Sequence, residues 1–486
     1  NTLDRCTLNA SALNQRLDPT GVVTDCVDKA GFSKQLSKVV VTEGINFRNV
    51  KTVGVADTNP IFMHMLGIND FDAHAAATAE QRITNIDLAL VLDVSGSMSG
   101  TKIANLKTAA SEFVTSILAG DIEKRISISI VPYKAQVNLG PVLRAKYNAT
   151  SLHGVANVNC IEVPASTYGS AAMSRTLAMP MMAYADIANG TNQTNGTVSP
   201  TDSSYARPNF GSAFCQPSTV NVVRLPDNNA ATLKSQINAL QAGGNTSIML
   251  GMKWGLTLID PAARPMFAEL AASNLIPAAF AARPFNYNDR EAMKVIVLMT
   301  DGEHVSHSSI TDPYKTGTAP IWQSTGDGNY SVHHPSYTGS ANKYWVPHRS
   351  EWRAAPWNSG AGVQQQTWQQ VWSKLRLSYV SWQFYARALG TSGGTRTTVY
   401  NNTMNTMQKT FESVANMNAQ LQQSCALAKT NNVVVFGIAF EAPTSGQAQI
   451  SACASSAAHY FNAQGLQIQT AFRSIASNIS QLKLTQ

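Results

Sequence analysis

The sequence lacks any apolar run long enough to cross a membrane, and it has few charged residues. The nearest candidate for a membrane helix, residues 268–282, is interrupted by Asn274 and Pro277 and is shorter than the roughly 18 residues required. Charged residues make up only 13% of the chain, the net charge is +7, and no basic run is interleaved with aromatic residues. This excludes a nucleic-acid-binding surface. Because the chain begins with Asn1 rather than Met, we expect any signal peptide or membrane anchor to lie upstream.

Cysteine is also scarce, and its spacing excludes the common metal and redox motifs. The chain has six cysteines, and no two of them stand in the CxxC spacing of a structural zinc site or a thioredoxin-like motif. An even number of cysteines favours disulfides, which form in oxidising compartments. We predict the most local pairing: Cys6–Cys26, Cys160–Cys215 and Cys425–Cys453. Each disulfide would close a modest loop and contribute about 3 kcal/mol. The alternative is six buried free thiols in a reducing cytosol.

With 486 residues, the chain can hold two or three domains, or one domain with large insertions. Residues 1–36 show no sustained hydrophobic period, and a β-like alternation follows from about Lys38, with Val53 and Val55 among its apolar positions. We therefore predict a small disulfide-pinned segment and β platform over residues 1–85.

The main domain, residues 86–486, begins with a strand, a helix and a second strand. Ile86–Asp93 is an apolar run of the kind found in parallel strands that are buried on both faces. The other predicted elements are a helix at 101–119, strands at 126–131, 295–299 and 433–440, and helices at 247–258, 404–428 and about 467–479. Alternation of strands and helices is typical of an α/β domain with a mostly parallel sheet. We predict a doubly wound, Rossmann-like fold.

Two stretches do not follow this alternation, and we predict that they are insertions. Residues 140–225 are loop-rich and include a polar run from Asn189, whereas residues 303–400 are rich in tryptophan and histidine and partly helical. A helical stripe with a buried face is formed by Trp368, Trp372, Leu375, Tyr379 and Trp382. The tryptophans without such a period, which we expect to form a partner surface, are Trp322, Trp345, Trp352 and Trp357. The histidines, which match no zinc motif and which we expect to be exposed or hydrogen-bonded, are His304, His307, His333, His334 and His348.

Oxygen-bearing side chains lie in three loops that can reach one edge of the predicted sheet. They are Asp93, Ser95, Ser97, Thr246 and Asp301. The carboxyl ends of the strands in a doubly wound sheet form the ligand-binding edge, so we expect these side chains to meet there. Mg²⁺ prefers six oxygen ligands and keeps some waters, which leaves a position open for an outside group. We predict one divalent cation, Mg²⁺ first with Ca²⁺ or Mn²⁺ as alternatives. Asp301 would bind it mostly through water, and a partner's acidic side chain would take the open position.

The pattern Asp93-x-Ser95-x-Ser97, together with Thr246 and Asp301, resembles the metal-ion-dependent adhesion site (MIDAS) of von Willebrand factor A (VWA) domains. Longer stretches resemble TadG-type proteins of bacterial tight-adherence (Tad) pilus assembly. These stretches are Leu88–Met98, Val433–Phe440, Cys453–Ser456, Tyr460–Ala463 and Ala471–Ala476. The resemblance implies a Gram-negative envelope protein attached through an N-terminal transmembrane helix, which this sequence does not contain. Neither insertion is covered by the resemblance.

Several functions remain open at this point. The first is a non-enzymatic adhesion or assembly module of a surface pilus, in the periplasm, on the cell surface or outside the cell. Its partner would be another pilus component, a surface receptor or a further copy of the chain. The second is a structural VWA building block with a structural or empty metal site, since Asp and Ser after a strand also serve as turn and cap residues. The third is carbohydrate binding by the Trp-rich insertion. Catalysis has little support, because the GxSxG-like stretch 96–100 has Met98 at the nucleophile position.

Overall fold

The structure is a computed structural model that describes residues 2–12, 17–43, 47–58, 71–82, 85–119, 121, 123–186, 213–289 and 291–480. The polar run that begins at Asn189 lies outside the described residues. The strands are β1 (Leu36–Glu43), β2 (Phe47–Thr58), β3 (Phe71–Arg82), β4 (Asn85–Asp93), β5 (Ile126–Tyr133), β6 (Ala149–Thr150), β7 (Met179–Pro180), β8 (Arg224–Asp227), β9 (Ala292–Thr300), β10 (His307–Ile310), β11 (Thr318–Ser324), β12 (Tyr330–His333), β13 (Tyr344–Val346), β14 (Glu351–Arg353), β15 (Val363–Thr367), β16 (Gln408–Glu412), β17 (Val434–Phe440) and β18 (Tyr460–Ala463). The α-helices are α1 (Thr2–Ser11), α2 (Pro19–Lys29), α3 (Thr101–Leu118), α4 (Gly140–Arg144), α5 (Ala230–Asn238), α6 (Ile248–Ile259), α7 (Arg264–Ala272), α8 (Trp368–Lys374), α9 (Leu377–Tyr379), α10 (Arg387–Leu389), α11 (Gly393–Met407), α12 (Val414–Thr430), α13 (Thr444–Cys453) and α14 (Gln467–Ser480), and a π-helix spans Val380–Ala386.

A six-stranded, mostly parallel sheet forms the centre of the α/β part. Its strand order is β18-β17-β9-β4-β5-β8, and only β8 runs antiparallel to its neighbour. The strands β4 and β9 pair in parallel register, with Leu92 opposite Met299, so their carboxyl ends lie side by side. As the apolar run predicts, β4 is buried over all of its length except Asn85. This arrangement places Asp93 and Asp301 at the same edge of the sheet.

Helices cover both faces of this sheet, because consecutive residues of each strand face opposite cores. Leu88 and Leu90 of β4 pack with Phe113 of α3 and Phe472 of α14. Ala89 and Val91 pack in the other core, with α6, α7 and α12. The central strands β4, β9 and β17 are therefore mostly apolar along their length rather than only at alternate positions.

The helix that follows the Thr246 loop lies unusually close to the sheet. All twelve residues of α6 are buried. A Cβ atom on Gly251 would lie 2.5 Å from Cδ1 of Tyr133, and one on Gly255 would lie 2.5 Å from Cγ2 of Val91. Only glycine permits this approach at both positions, and the approach fixes where the helix begins. The two glycines thus help to place Thr246 at the edge of the sheet.

The N-terminal segment is a three-stranded antiparallel sheet, β1-β2-β3, with two helices. The sequence predicts the β platform but not the helices, because α1 and α2 are short and rich in polar residues. Asp18 caps α2 by accepting a hydrogen bond from Gly21 N (2.7 Å), and the helix begins with Pro19. The small core of this segment is composed of Cys6, Ala10, Val23, Val27 and Val50.

The three disulfides are the predicted ones. They join Cys6 to Cys26, Cys160 to Cys215 and Cys425 to Cys453. The last pair connects α12 to α13 on one face of the central sheet. No helix within the described part of the chain has both the length and the apolar character that a membrane span requires.

The stretch between β9 and α12 corrects the predicted helices. A single helix over 404–428 was expected, but the structure has α11 and α12 separated by β16, which pairs with β10. This pairing with a distant strand overrides the local helical pattern. The tryptophan stripe is buried as expected, yet α8 ends at Lys374 and Leu375 is extended (φ −128°, ψ 145°). A five-stranded antiparallel sheet, β14-β13-β12-β11-β15, forms within residues 318–367.

Candidate metal centre

The carboxylate of Asp93 lies at the end of β4 and is fully buried. One of its oxygens, Oδ1, accepts a hydrogen bond from the backbone N–H of Ser95 (2.8 Å). The other, Oδ2, accepts one from the hydroxyl of Thr300 (2.7 Å). The carboxylate is therefore held rigidly by the turn that follows β4 and by the end of the neighbouring strand β9.

The hydroxyls of the first loop reach the loop that follows β9. Ser95 Oγ and Ser97 Oγ are 3.0 Å apart, and Ser97 Oγ donates to Asp301 Oδ1 (2.7 Å). Thr246 Oγ1 and Ser97 Oγ both lie within 3.7 Å of the point that a Cβ atom on Gly302 would occupy. The structure thus brings all five predicted side chains to one place, although they come from three distant parts of the chain.

Backbone hydrogen bonds join the three loops. Gly96 N donates to Gly244 O (2.8 Å), and Gly243 N donates to Val94 O (2.9 Å), so the first loop is tied to the loop that carries Thr246. Val305 N donates to Thr246 O (3.0 Å), which ties that loop to the segment after β9. A preformed arrangement of this kind needs little ordering when a ligand binds.

The charge of Asp93 has no cationic partner among the described residues. Burial raises its pKa from 3.8 to about 6; the bonds from Ser95 and Thr300 oppose this shift, and the nearby Asp301 adds to it. A buried carboxylate without a counter-ion is unfavourable unless a cation binds to it. The donor set, two carboxylates and three hydroxyls, consists only of the oxygen ligands that Mg²⁺ and Ca²⁺ prefer. The residues present therefore fit a hard divalent cation.

Lys102, in the first turn of α3, is a charged residue of the site that the sequence pattern did not reveal. Its Nζ lies 2.9 Å from Asp301 Oδ2 and 3.7 Å from the carboxylate of Glu441. Asp301 is thus already bonded through both oxygens, to Ser97 and to Lys102. This leaves Asp93 as the carboxylate whose charge is not balanced.

Two further residues that the sequence did not assign hold the site in place. Thr300 orients Asp93, and also accepts a hydrogen bond from Gly302 N (3.1 Å). His304 is buried; its Nε2 accepts from Met249 N (2.9 Å) in the first turn of α6, and its Nδ1 bonds to Asn418 Oδ1 (2.7 Å). Burial lowers the pKa of His304 to about 4, so it is neutral at physiological pH. It acts as a cap for the helix that follows Thr246, which matches the expectation of a hydrogen-bonded histidine.

The four tryptophans that were expected to form a partner surface do not share one face. Trp345 pairs with Trp352 in the five-stranded sheet, and Trp345 is only 6% exposed and donates from Nε1 to Gln383 O (2.9 Å). Trp345 thus belongs to the core, which corrects the expectation for that residue. Trp322 is opposite Ser331 on the other face, where Trp357 N also bonds to Ser331 Oγ (3.1 Å). A partner role for Trp322, Trp352 and Trp357 stays a prediction.

No protein-family model matches the sequence, and no curated protein matches it. Among solved structures, the vWF domain of the type V pili tip protein Mfa5 from Porphyromonas gingivalis is similar, with 12% identity, a TM-score of 0.35, and coverage of 83% of this chain and 98% of that domain. The pilus adhesin SpaC from Lactobacillus rhamnosus GG has 10% identity and a TM-score of 0.31, and the match covers 91% of this chain and 33% of SpaC. The pilus adhesin RrgA from Streptococcus pneumoniae has 12% identity and a TM-score of 0.31, with coverage of 88% and 47%. This chain therefore spans about a third of the SpaC structure and about half of the RrgA structure.

Proposed function

We propose that this chain is a non-enzymatic, metal-dependent binding module with a VWA-type, doubly wound domain. The observation that carries the proposal is the convergence of five side chains on one point: Asp93, Ser95, Ser97, Thr246 and Asp301. The buried carboxylate of Asp93 has no counter-ion among the described residues. Asp93 and the two serines would hold the ion directly. Thr246 would hold it directly or through water, and Asp301 through water, since its oxygens are already bonded to Ser97 and Lys102.

The ligand preference of the ion favours an acidic partner. A bound Mg²⁺ would supply an open coordination position, and the carboxylates of Asp93 and Asp301 would cancel its two positive charges. Lys102 lies 2.9 Å from Asp301 and 3.7 Å from Glu441, so its own charge is also opposed by a carboxylate. A carboxylate oxygen is the kind of ligand that a hard divalent cation takes at an open position.

The sequence resemblance leads us to propose a place for this module in a bacterial surface pilus or envelope assembly, as in TadG-type proteins. Three disulfides fit an oxidising compartment such as the periplasm or the cell exterior. We also propose a domain boundary after residue 85, at the start of β4, with residues 140–225 and 303–400 as insertions into the VWA domain.

The test measures binding of fluorescein-labelled hexaglutamate to the full chain by fluorescence anisotropy, once in Mg²⁺ and once in EDTA. We expect a Mg²⁺-dependent component of binding that Asp93→Ala and Asp93→Asn both remove. Asp28→Ala, an exposed acidic residue on α2, serves as the matched control and should retain this component. If the affinity is the same in Mg²⁺ and in EDTA, the proposed function is wrong. If Mg²⁺ raises only the melting temperature, the ion is structural.

A further inference from the structure

A pocket of about 320 Å³ lies beside the candidate metal centre, and neither the fold nor the metal accounts for it. Its walls include Lys134 and Gln136 after β5, Phe214 next to the Cys160–Cys215 disulfide, and Gly244 and Asn245. Since Gly244 and Asn245 directly precede Thr246, the pocket and the metal centre share one loop. A ligand that reaches the metal is therefore well placed to reach the pocket too.

The pocket contains a cation without a counter-ion. Lys134 is half-buried, and its Nζ donates to Gln216 Oε1. No aspartate or glutamate is among the described residues that line the pocket, and none of the described carboxylates forms an ion pair with Lys134. Burial alone lowers the pKa of Lys134 to about 8, so the side chain is mostly charged at neutral pH. An enclosed positive charge of this kind favours an anionic ligand.

An unpaired amide lies next to this cation. Gln136 is only 4% exposed, and neither Nε2 nor Oε1 of its side chain has a hydrogen-bond partner among the described residues. Buried polar groups are nearly always hydrogen-bonded, and one without a partner in a pocket wall often marks a ligand site. The lining of the pocket thus includes a lysine without a counter-ion among the described residues and, two residues along the chain, a buried amide without a hydrogen-bond partner.

We propose that this pocket binds a carboxylate side chain of an acidic peptide, close to a first carboxylate that the metal centre takes. The binding of the first carboxylate at the metal centre rests on the proposed function, whereas the binding of the second carboxylate rests only on the residues of the pocket. Lys134 would provide a charge-assisted hydrogen bond and Gln136 an amide N–H, while Phe214 and the disulfide would contact the methylene groups. The partner would therefore present at least two neighbouring acidic residues.

A peptide fits this pocket better than an acidic polysaccharide. Sugar rings are commonly recognised by stacking on an open aromatic face. Phe214 is only 7% exposed, and the ring of His307 packs against Phe411 with 5.2 Å between centroids. No aromatic face of the described lining is open to a sugar. The apolar and charged walls suit the short methylene stem and carboxylate of a glutamate.

The experiment uses fluorescein-labelled hexaglutamate, with labelled hexaglutamine as the neutral probe, and the full chain in EDTA and in Mg²⁺. Lys134→Gln should weaken hexaglutamate binding about tenfold in both buffers, because a hydrogen bond to a charged group is lost. The matched control is Lys124→Gln, which removes the same charge from an exposed lysine before β5, at the opposite end of that strand. Gln136→Met should also weaken binding but leave the melting temperature unchanged or higher.

The two proposals fail in different ways. If Lys134→Gln behaves like Lys124→Gln while Asp93→Ala still removes the Mg²⁺-dependent component, the pocket assignment is overturned and the metal site stands. If Asp93→Ala has no effect while Lys134→Gln weakens binding in both buffers, the metal site is overturned and the pocket assignment stands. Labelled oligogalacturonate tests whether the pocket binds an acidic polysaccharide instead of a peptide. Lys134-dependent binding of oligogalacturonate without binding of hexaglutamate would overturn the assignment to a peptide.

Discussion

Replacing Asp93 with asparagine should stabilise the metal-free protein and remove its response to Mg²⁺. Asparagine has nearly the same shape, and its side-chain oxygen can still accept the hydrogen bond from Ser95 N. Its amide can donate to the hydroxyl of Thr300, which now donates to Asp93. The substitution therefore removes the buried charge and keeps the bonding of the loop.

The expected gain in stability follows from the pKa of Asp93, which burial raises from 3.8 to about 6. The difference corresponds to about 3 kcal/mol by which the ionised carboxylate disfavours the metal-free fold at neutral pH. For an acid whose pKa is raised on folding, the folded state holds the extra proton, so stability falls as the pH rises from about 4 to about 6. The variant should therefore be more stable than the wild type at pH 7.5, and the two should converge near pH 4.

Differential scanning fluorimetry in EDTA and in Mg²⁺ measures both effects. In EDTA at pH 7.5 the midpoint of the variant should be about 5 °C above that of the wild type, since about 3 kcal/mol is distributed over a large domain. A saturating concentration of Mg²⁺ should raise the wild-type midpoint by mass action and leave the variant unchanged. A variant that is less stable than the wild type in EDTA, or that still responds to Mg²⁺, would refute the reasoning.

Two further substitutions test how the fold supports the site. Gly251→Ala would place a Cβ atom 2.5 Å from Tyr133, so α6 must shift. We expect the free energy of unfolding, measured by urea denaturation, to fall by about 1–3 kcal/mol. Because the shift would displace Thr246, we also expect weaker Mg²⁺ binding, measured by calorimetry. Lys315→Met leaves Glu162, which is 7% exposed and 2.5 Å from Lys315, as a buried charge without a partner. It should cost about 3 kcal/mol or more, and adding Glu162→Leu should restore most of this stability; a double variant no better than the single one would contradict the pairing.

The central strands and the site residues could be predicted because the sequence patterns that indicate them lie within short stretches of the chain. A parallel strand that is buried on both faces is mostly apolar, so the sequence predicts β4 and β9, and the side chains that follow them can be placed at one edge. The strand β16 could not be predicted, because Gln408–Glu412 is polar and is extended only through its pairing with β10. The five-stranded sheet was missed for a similar reason, since β13 and β14 have three residues each and show no measurable period.

The residues of the site that the sequence did not reveal act through contacts across the fold. Lys102 lies in an ordinary first helical turn, and only the structure shows that it is 2.9 Å from Asp301. His304 follows Asp301 by three residues, yet its role depends on the start of α6. The exposure of Trp345 could not be inferred either, because that residue lies on a strand whose two faces the sequence does not distinguish. A residue's contacts in the folded chain decide its role in such cases.

The most direct test of the account is the anomalous diffraction of crystals of this chain grown or soaked in Mn²⁺. We expect one peak at the carboxyl edge of the central sheet, with oxygens of Asp93, Ser95 and Ser97 within about 2.2 Å of the ion. The peak should be absent from crystals of Asp93→Asn treated in the same way. Crystals of the wild type with no peak between Asp93 and Thr246, or with the ion bound only elsewhere, would contradict the account.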